Sequence, residues 1–257
     1  MQALLPAGVG LFAGSTAVYL AALWTSRPFV LRIAHGLLAL TVLVWIVILG
    51  GSLPHLAEGG VTRFYLGGSA IGLSGLYLVL LRRYPIGGLG SFVSALATLL
   101  AVFALFAQQQ NFTDPAVVDW LLRVHIALAF VGVTAFAFST AVSLVYLMQA
   151  RMLKQKSKTE LRRRLPPLDM LDKLALRGIV VGFPFYTVAL LLGSAQAIRT
   201  EHLRSSYVLA IISWTIYGIV LQARLTAGWR GRRAAILTVV GLVLALSVVA
   251  QYGFRSL

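Results

Sequence analysis

Eight apolar runs, each close to 20 residues long, divide this chain almost from end to end, and their length decides what it can fold into. A helix rises about 1.5 Å per residue, so roughly 20 residues cross the ~30 Å hydrocarbon core of a bilayer. The runs are Leu4–Trp24, Phe29–Gly51, Tyr65–Leu81, Leu89–Ala107, Trp120–Ala150, Leu174–Ala197, Tyr207–Gln222 and Ala234–Tyr252. With 59% hydrophobic residues, 11% charged residues and a mean hydropathy of +0.89, the chain has more apolar surface than a water-soluble core can hide. The expectation is an all-α polytopic membrane protein with about eight transmembrane helices, forming a single integral membrane domain over residues 1–257. Met1 to Trp24 lacks the basic n-region and small-residue cleavage site of a secretory signal, and is expected to stay as the first span.

The cations orient these spans. The formal net charge is +15, a value that in a soluble protein would suggest nucleic acid. Here the positions point to a membrane instead. Arg27 and Arg32, Arg82 and Arg83, nine cations between Arg151 and Arg177, and Arg224, Arg230, Arg232 and Arg233 follow runs one, three, five and seven. The opposite side holds only Arg63, Arg123, Arg199, Arg204 and Arg255. Membrane proteins retain Lys and Arg on cytoplasmic loops, so both termini are expected outside and nucleic acid is not an expected partner.

Small residues and prolines mark the packing. Gly67, Gly68, Gly72 and Gly75 recur at helical spacing and allow the third run to approach a neighbour closely. Pro184, with Gly178, Gly182 and Gly193, is expected to weaken or bend the sixth run. Pro166 to Leu176 reads as a short surface helix on the cytoplasmic side, with Leu168, Leu171 and Leu174 on one face and Asp169 pairing with Lys173.

Few chemistries have their parts here. The seven Asp and Glu residues all lie outside the runs, which leaves a carboxylate relay or carboxylate metal site unsupported. Cysteine is absent, and no P-loop, zinc-protease helix or nucleophile elbow appears. The chain is therefore expected not to be an enzyme with covalent chemistry of its own. Four histidines remain. His35 falls in the inner half of the second run, His125 in the outer half of the fifth, and His55 and His202 in outer loops, so His35 and His125 are expected on different sides of the bilayer.

His125 stands about 8 Å along its helix from Trp120, with Ala129 and Gly132 leaving room on the same face. A neutral imidazole in a roomy, aromatic-rich cavity suits haem iron, and Arg123, Arg199, Arg204 and Arg63 are outer-side candidates for the propionates. It equally suits a structural histidine bonded to a neighbouring helix, and the arginines an ordinary polar rim; taken alone, the residues favour the structural histidine.

Three stretches add a resemblance. Arg123-Val-His125-Ile-Ala-Leu-Ala-Phe130, Leu165-Pro-Pro-Leu-Asp169-Met-Leu-Asp172-Lys173-Leu174 with Gly178 and Gly182-Phe-Pro-Phe, and Trp214-Thr-Ile-Tyr217 with Gly228-Trp-Arg-Gly-Arg-Arg233 resemble the cytochrome c assembly proteins, an integral membrane haem-handling family, in its short eight-helix branch. The resemblance covers residues 120–253. It implies a multi-pass protein of the bacterial inner membrane that binds or delivers haem in cytochrome c biogenesis, or serves a haem-synthesis partner. It also implies haem ligation by His125. The chain's own residues then offer His202 or His55 as a second ligand and the outer arginines, Arg123 among them, beside the propionates; a fold that has lost haem altogether is the other reading. Departures from the family pattern are present: the loop Arg199 to Ser206 has no tryptophan, Gln222 stands where the family has a histidine, and Gln251 occupies the last helix. The competing reading is a non-haem scaffold or regulator that binds a partner or anionic lipid through its basic cytoplasmic loops. A transporter is disfavoured by the absence of intramembrane carboxylates and of a repeat.

Overall fold

The computed structural model describes residues 4–25, 27–51, 61–106, 120–155, 165–199 and 205–253. Its regular structure is helical throughout, and among the described residues eight helices are long and apolar enough to cross a membrane. They are α1 (Leu4–Thr25), α2 (Pro28–Gly50), α3 (Val61–Leu81), α4 (Gly90–Phe106), α5 (Trp120–Lys154), α6 (Leu168–Arg199), α7 (Ser205–Thr226) and α8 (Arg232–Gly253). Local chemistry explains several ends. Pro28 occupies the first turn of α2, where its missing N–H is no loss. Arg151 and Lys154 lie in the last turn of α5, where the helix dipole favours cations.

The helices pack as two rings of four. In the first, α1 touches α2 and α4 while α3 touches α2 and α4; in the second, α5 and α7 each touch both α6 and α8. The rings join chiefly along α3 and α5, and one buried apolar cluster runs through both. At the join the Phe130 ring lies over Gly68 and Gly72, and Tyr65 donates its hydroxyl to the Ala129 carbonyl at 3.2 Å. Of the glycines expected to permit close approach on α3, Gly68 and Gly72 do so toward α5 and Gly67 toward the fully buried Trp45 of α2, whereas Gly75 faces open space. α5 is the central helix: 72% of its apolar window is buried inside the protein, against 50% or less for every other span.

The most extensive contact runs between α5 and α6. Gly178, Gly182, Tyr186, Ala189 and Gly193 recur every three or four residues, which places them on one face of α6. A side-chain carbon on Gly182 would sit 2.8 Å from the Phe136 ring and 3.0 Å from the Gly132 carbonyl oxygen; one on Gly178 would sit 3.0 Å from the Ala135 carbonyl oxygen. One on Gly132 would sit 3.1 Å from the Tyr186 backbone nitrogen. Ser139 donates across the same seam to the Ala175 carbonyl at 2.7 Å. Lipid is as apolar as leucine, so van der Waals contact and interhelical hydrogen bonds of this kind hold membrane helices together.

One expectation is corrected. Pro166 to Leu176 does not form a separate surface helix, because α6 is continuous from Leu168 to Arg199 and runs through Pro184 without interruption. Leu171, Leu174, Ala175 and Ile179 are all buried, so the apolar stripe of the supposed surface segment continues directly into the seam with nothing to break it. The Asp169–Lys173 ion pair is present at 2.6 Å, on the exposed side of that first turn.

Replacing Gly182 with leucine should overpack the seam and cost about 1–3 kcal/mol. Gly75→Ala, which meets nothing within 4 Å, should be neutral or stabilise by up to about 1 kcal/mol. Thermal unfolding in detergent separates the two; equal melting temperatures would mean that the seam is not closely packed.

Candidate functional site at the histidine end of the seam

The seam ends at His125. This residue lies in the second turn of α5, and its partner turn is near the end of α6. The imidazole Nδ1 is 2.7 Å from the Ala189 carbonyl oxygen. A carbonyl oxygen only accepts, so Nδ1 carries the proton and Nε2 carries the free lone pair. Among the described residues Nε2 has no hydrogen-bond partner, and the side chain is half-buried. Gly193 lies against the same ring: a side-chain carbon there would fall 2.8 Å from Cε1 and 3.2 Å from Nδ1. Tyr207, at the start of α7, donates its hydroxyl to the Gly193 carbonyl at 2.8 Å. A little deeper, the Trp214 indole stacks on Phe183 at 5.7 Å between centroids and donates to Thr187 Oγ1 at 2.9 Å.

The space anticipated beside His125 at Gly132 is filled. The α6 backbone at Tyr186 occupies it, so this glycine serves helix approach and leaves no cavity. Arg123 lies in the first turn of α5, two residues before His125. His55 and His202 lie outside the described residues.

His35 belongs to a different environment. It sits on α2 in the first ring, where the Tyr77 hydroxyl donates to the Gly87 carbonyl at 3.2 Å and lies 3.4 Å from His35 Nε2. With its proton committed to Gly87, Tyr77 receives a hydrogen from Nε2, the opposite tautomer from His125. The Tyr19 ring completes the box, 5.6 Å from the imidazole, and Gly90 lies directly beneath it. Among the described residues no group of three or more His, Cys, Asp or Glu side chains could hold a metal ion together.

A family model described as "Cytochrome C assembly protein" matches residues 65–257, nearly the whole of α3 through α8. The chain belongs to the cytochrome c assembly protein family. Among its relatives, "Cytochrome c biogenesis protein CcsA" of Chlamydomonas reinhardtii is 28% identical over 164 residues, which are 60% of this chain and 45% of that protein. The protein of the same name from Heterosigma akashiwo is 37% identical over 106 residues, 40% of this chain and 32% of the relative. That from Parasynechococcus marenigrum is 39% identical over 84 residues, 31% and 28% of the two chains. The chain thus spans less than half the length of these curated relatives. No solved structure matches it.

Within the family-matched region the fold also brings together two of the resembling stretches at the basic end, a cluster that sequence reading missed. Arg224 Nη2 pairs with Asp172 Oδ1 at 3.2 Å, and Nη1 donates to the Asp172 backbone carbonyl at 3.1 Å. The Gly231 N–H donates to the same carboxylate at 3.3 Å. The two side chains are only 2% and 15% exposed. Gly231 has φ +83°, and the Tyr146 hydroxyl lies 2.9 Å from where its side chain would begin, so only glycine fits this turn. The clasp ties α6, α7 and the turn into α8 at the end opposite His125. Arg224 looked like one more loop cation because its partner is 52 residues away in the chain.

Asp172→Ala should cost about 3–5 kcal/mol by leaving a buried guanidinium unpaired. The double change Asp172→Leu with Arg224→Met should recover much of that loss, and a double-mutant cycle in detergent measures the coupling. Additive losses would show that the two groups are not paired.

Proposed function

We propose that this chain is a multi-pass protein of the bacterial inner membrane that handles haem in cytochrome c biogenesis, with His125 as an axial ligand on the outer side. Family membership and the names of the relatives support the process. The single observation that carries the ligand is the His125 Nδ1–H bond to the Ala189 carbonyl, because it leaves Nε2 unprotonated and aims the ring. Metal-ligating histidines generally donate their other ring nitrogen in this way. The residues therefore fit the group. His125 would hold the iron, His202 or His55 would complete its ligation, and Arg123 would meet a propionate. When bound, haem supplies a redox-active Lewis-acidic centre whose potential answers to its axial ligands.

The chain's own contribution is binding and orientation. The seam fixes α5 against α6, the Ala189 carbonyl holds the tautomer, and the Trp214–Phe183 stack keeps the outer half of α6 against α7. The proposed role is that of a carrier that binds and orients haem. The distribution of cations supports an orientation with both termini outside and the Asp172–Arg224 clasp on the cytoplasmic side.

A second reading, a non-haem scaffold that binds a partner, draws support from the exposed Arg151, Lys154, Arg230, Arg232 and Arg233 around the clasp. An absorption spectrum separates the two. Protein produced with ample haem should show a Soret band that is lost or shifted in His125→Ala; no band in the wild type, or an unchanged band in the variant, contradicts His125 ligation. Because the chain has no cysteine, orientation can be read directly. In intact cells a membrane-impermeant maleimide should label Thr200→Cys and spare Arg230→Cys, and the reverse pattern would invert the topology.

A further inference from the structure

Two features of α6 converge on one face of the His125 ring. The first is the Ala189 carbonyl, 2.7 Å from Nδ1. The second is the missing side chain of Gly193, one turn further on, where any carbon would fall within 2.8 Å of Cε1 and 3.2 Å of Nδ1. The crowded atoms are Nδ1, which makes the hydrogen bond, and its neighbour Cε1; Nε2 would be 3.7 Å away, at ordinary contact distance. Relief cannot come from a flexible chain end, because the group in the way is a rigid ring that has only two side-chain torsions. Gly193 is itself held, since Tyr207 donates to its carbonyl at 2.8 Å and so ties the last turns of α6 to α7.

We propose that Gly193 is a positioning residue for His125. By lacking a side chain it lets the imidazole seat on α6, donate Nδ1–H to Ala189 and present Nε2 unprotonated to an iron centre. The inference deepens the haem reading and rests on it for its purpose, but the seat itself is a property of the chain before any ligand arrives. Gly178 and Gly182, on the same face, meet carbonyl oxygens and the Phe136 ring, and therefore serve helix approach alone. Gly193 is the member of the stripe whose neighbour is a titratable ring.

The test uses the full-length chain in detergent without added haem, with histidine labelled at its ring nitrogens. In the wild type the His125 signals should show a protonated Nδ1 and a bare, pyridine-type Nε2, with a nuclear Overhauser contact between the ring Cε1–H and the Gly193 α-hydrogens. Gly193→Ala should lose that contact and lose the single tautomer, giving a mixture of the two. Leu191→Ala, on the lipid side of the same turn, should leave both unchanged. A wild-type proton on Nε2, an absent Gly193 contact, or a Gly193→Ala spectrum identical to wild type each overturns the proposal; the first two need no variant to fold. Failure of the haem reading is a separate result: the seat is present in the spectra, yet the wild type shows no Soret band when loaded.

Discussion

The close approach of α5 and α6 is the constraint on which the rest of this structure depends. Two helices meet backbone to backbone only where side chains are absent, and Gly132, Gly178 and Gly182 supply those absences along one line. That contact buries α5 more deeply than any other span and gives the second ring its axis. It also sets the register between the helices, and register determines which α6 carbonyl faces His125. A shift of one turn would replace Ala189 by a group about 5.4 Å away and the hydrogen bond would be lost.

The second ring is tied differently at its two ends. At the His125 end the tie is light: one imidazole on one carbonyl, with a nitrogen left over. At the basic end it is tight, with Arg224, Asp172 and Gly231 joining α6, α7 and the turn into α8 in a nearly buried cluster. Interhelical hydrogen bonds in membranes contribute about 0.6–2 kcal/mol each, so the His125 end alone does not fix the fold. The burden falls on glycine packing and on the clasp. His35 shows the contrast. Its ring is enclosed by Tyr19 and Tyr77, and its Nε2 is used within the protein, so it serves packing in the first ring.

Much of the architecture was legible in the sequence because the bilayer simplifies the problem. All eight spans are legible from run length alone, within four residues at their ends except the start of α6, which lies six residues earlier than the run. The seam was half legible: the glycines of α6 are visible, but nothing in a linear pattern names the helix they face. The segment from Pro166 was misread because an apolar stripe at 3.6-residue spacing looks the same whether it lies on a surface or starts a longer helix. The site was harder still. His125 could be singled out as a histidine near one end of a membrane-length helix, yet its partner is a backbone carbonyl, which every residue possesses and no sequence marks. Gly193 and the Asp172–Arg224 clasp depend on partners tens of residues away, so they emerge only from the packed structure.

The central claim is that Nε2 of His125 is the atom offered to haem iron. It is tested most directly by removing the imidazole and returning it in solution. In a His125→Gly protein the lost ring leaves a gap against Gly193, into which free imidazole can diffuse. If the claim holds, haem absorption characteristic of the wild type disappears in that variant and returns on titration with imidazole. A His125→Gly protein that keeps the wild-type spectrum, or gains nothing from imidazole while remaining folded, contradicts ligation by this residue.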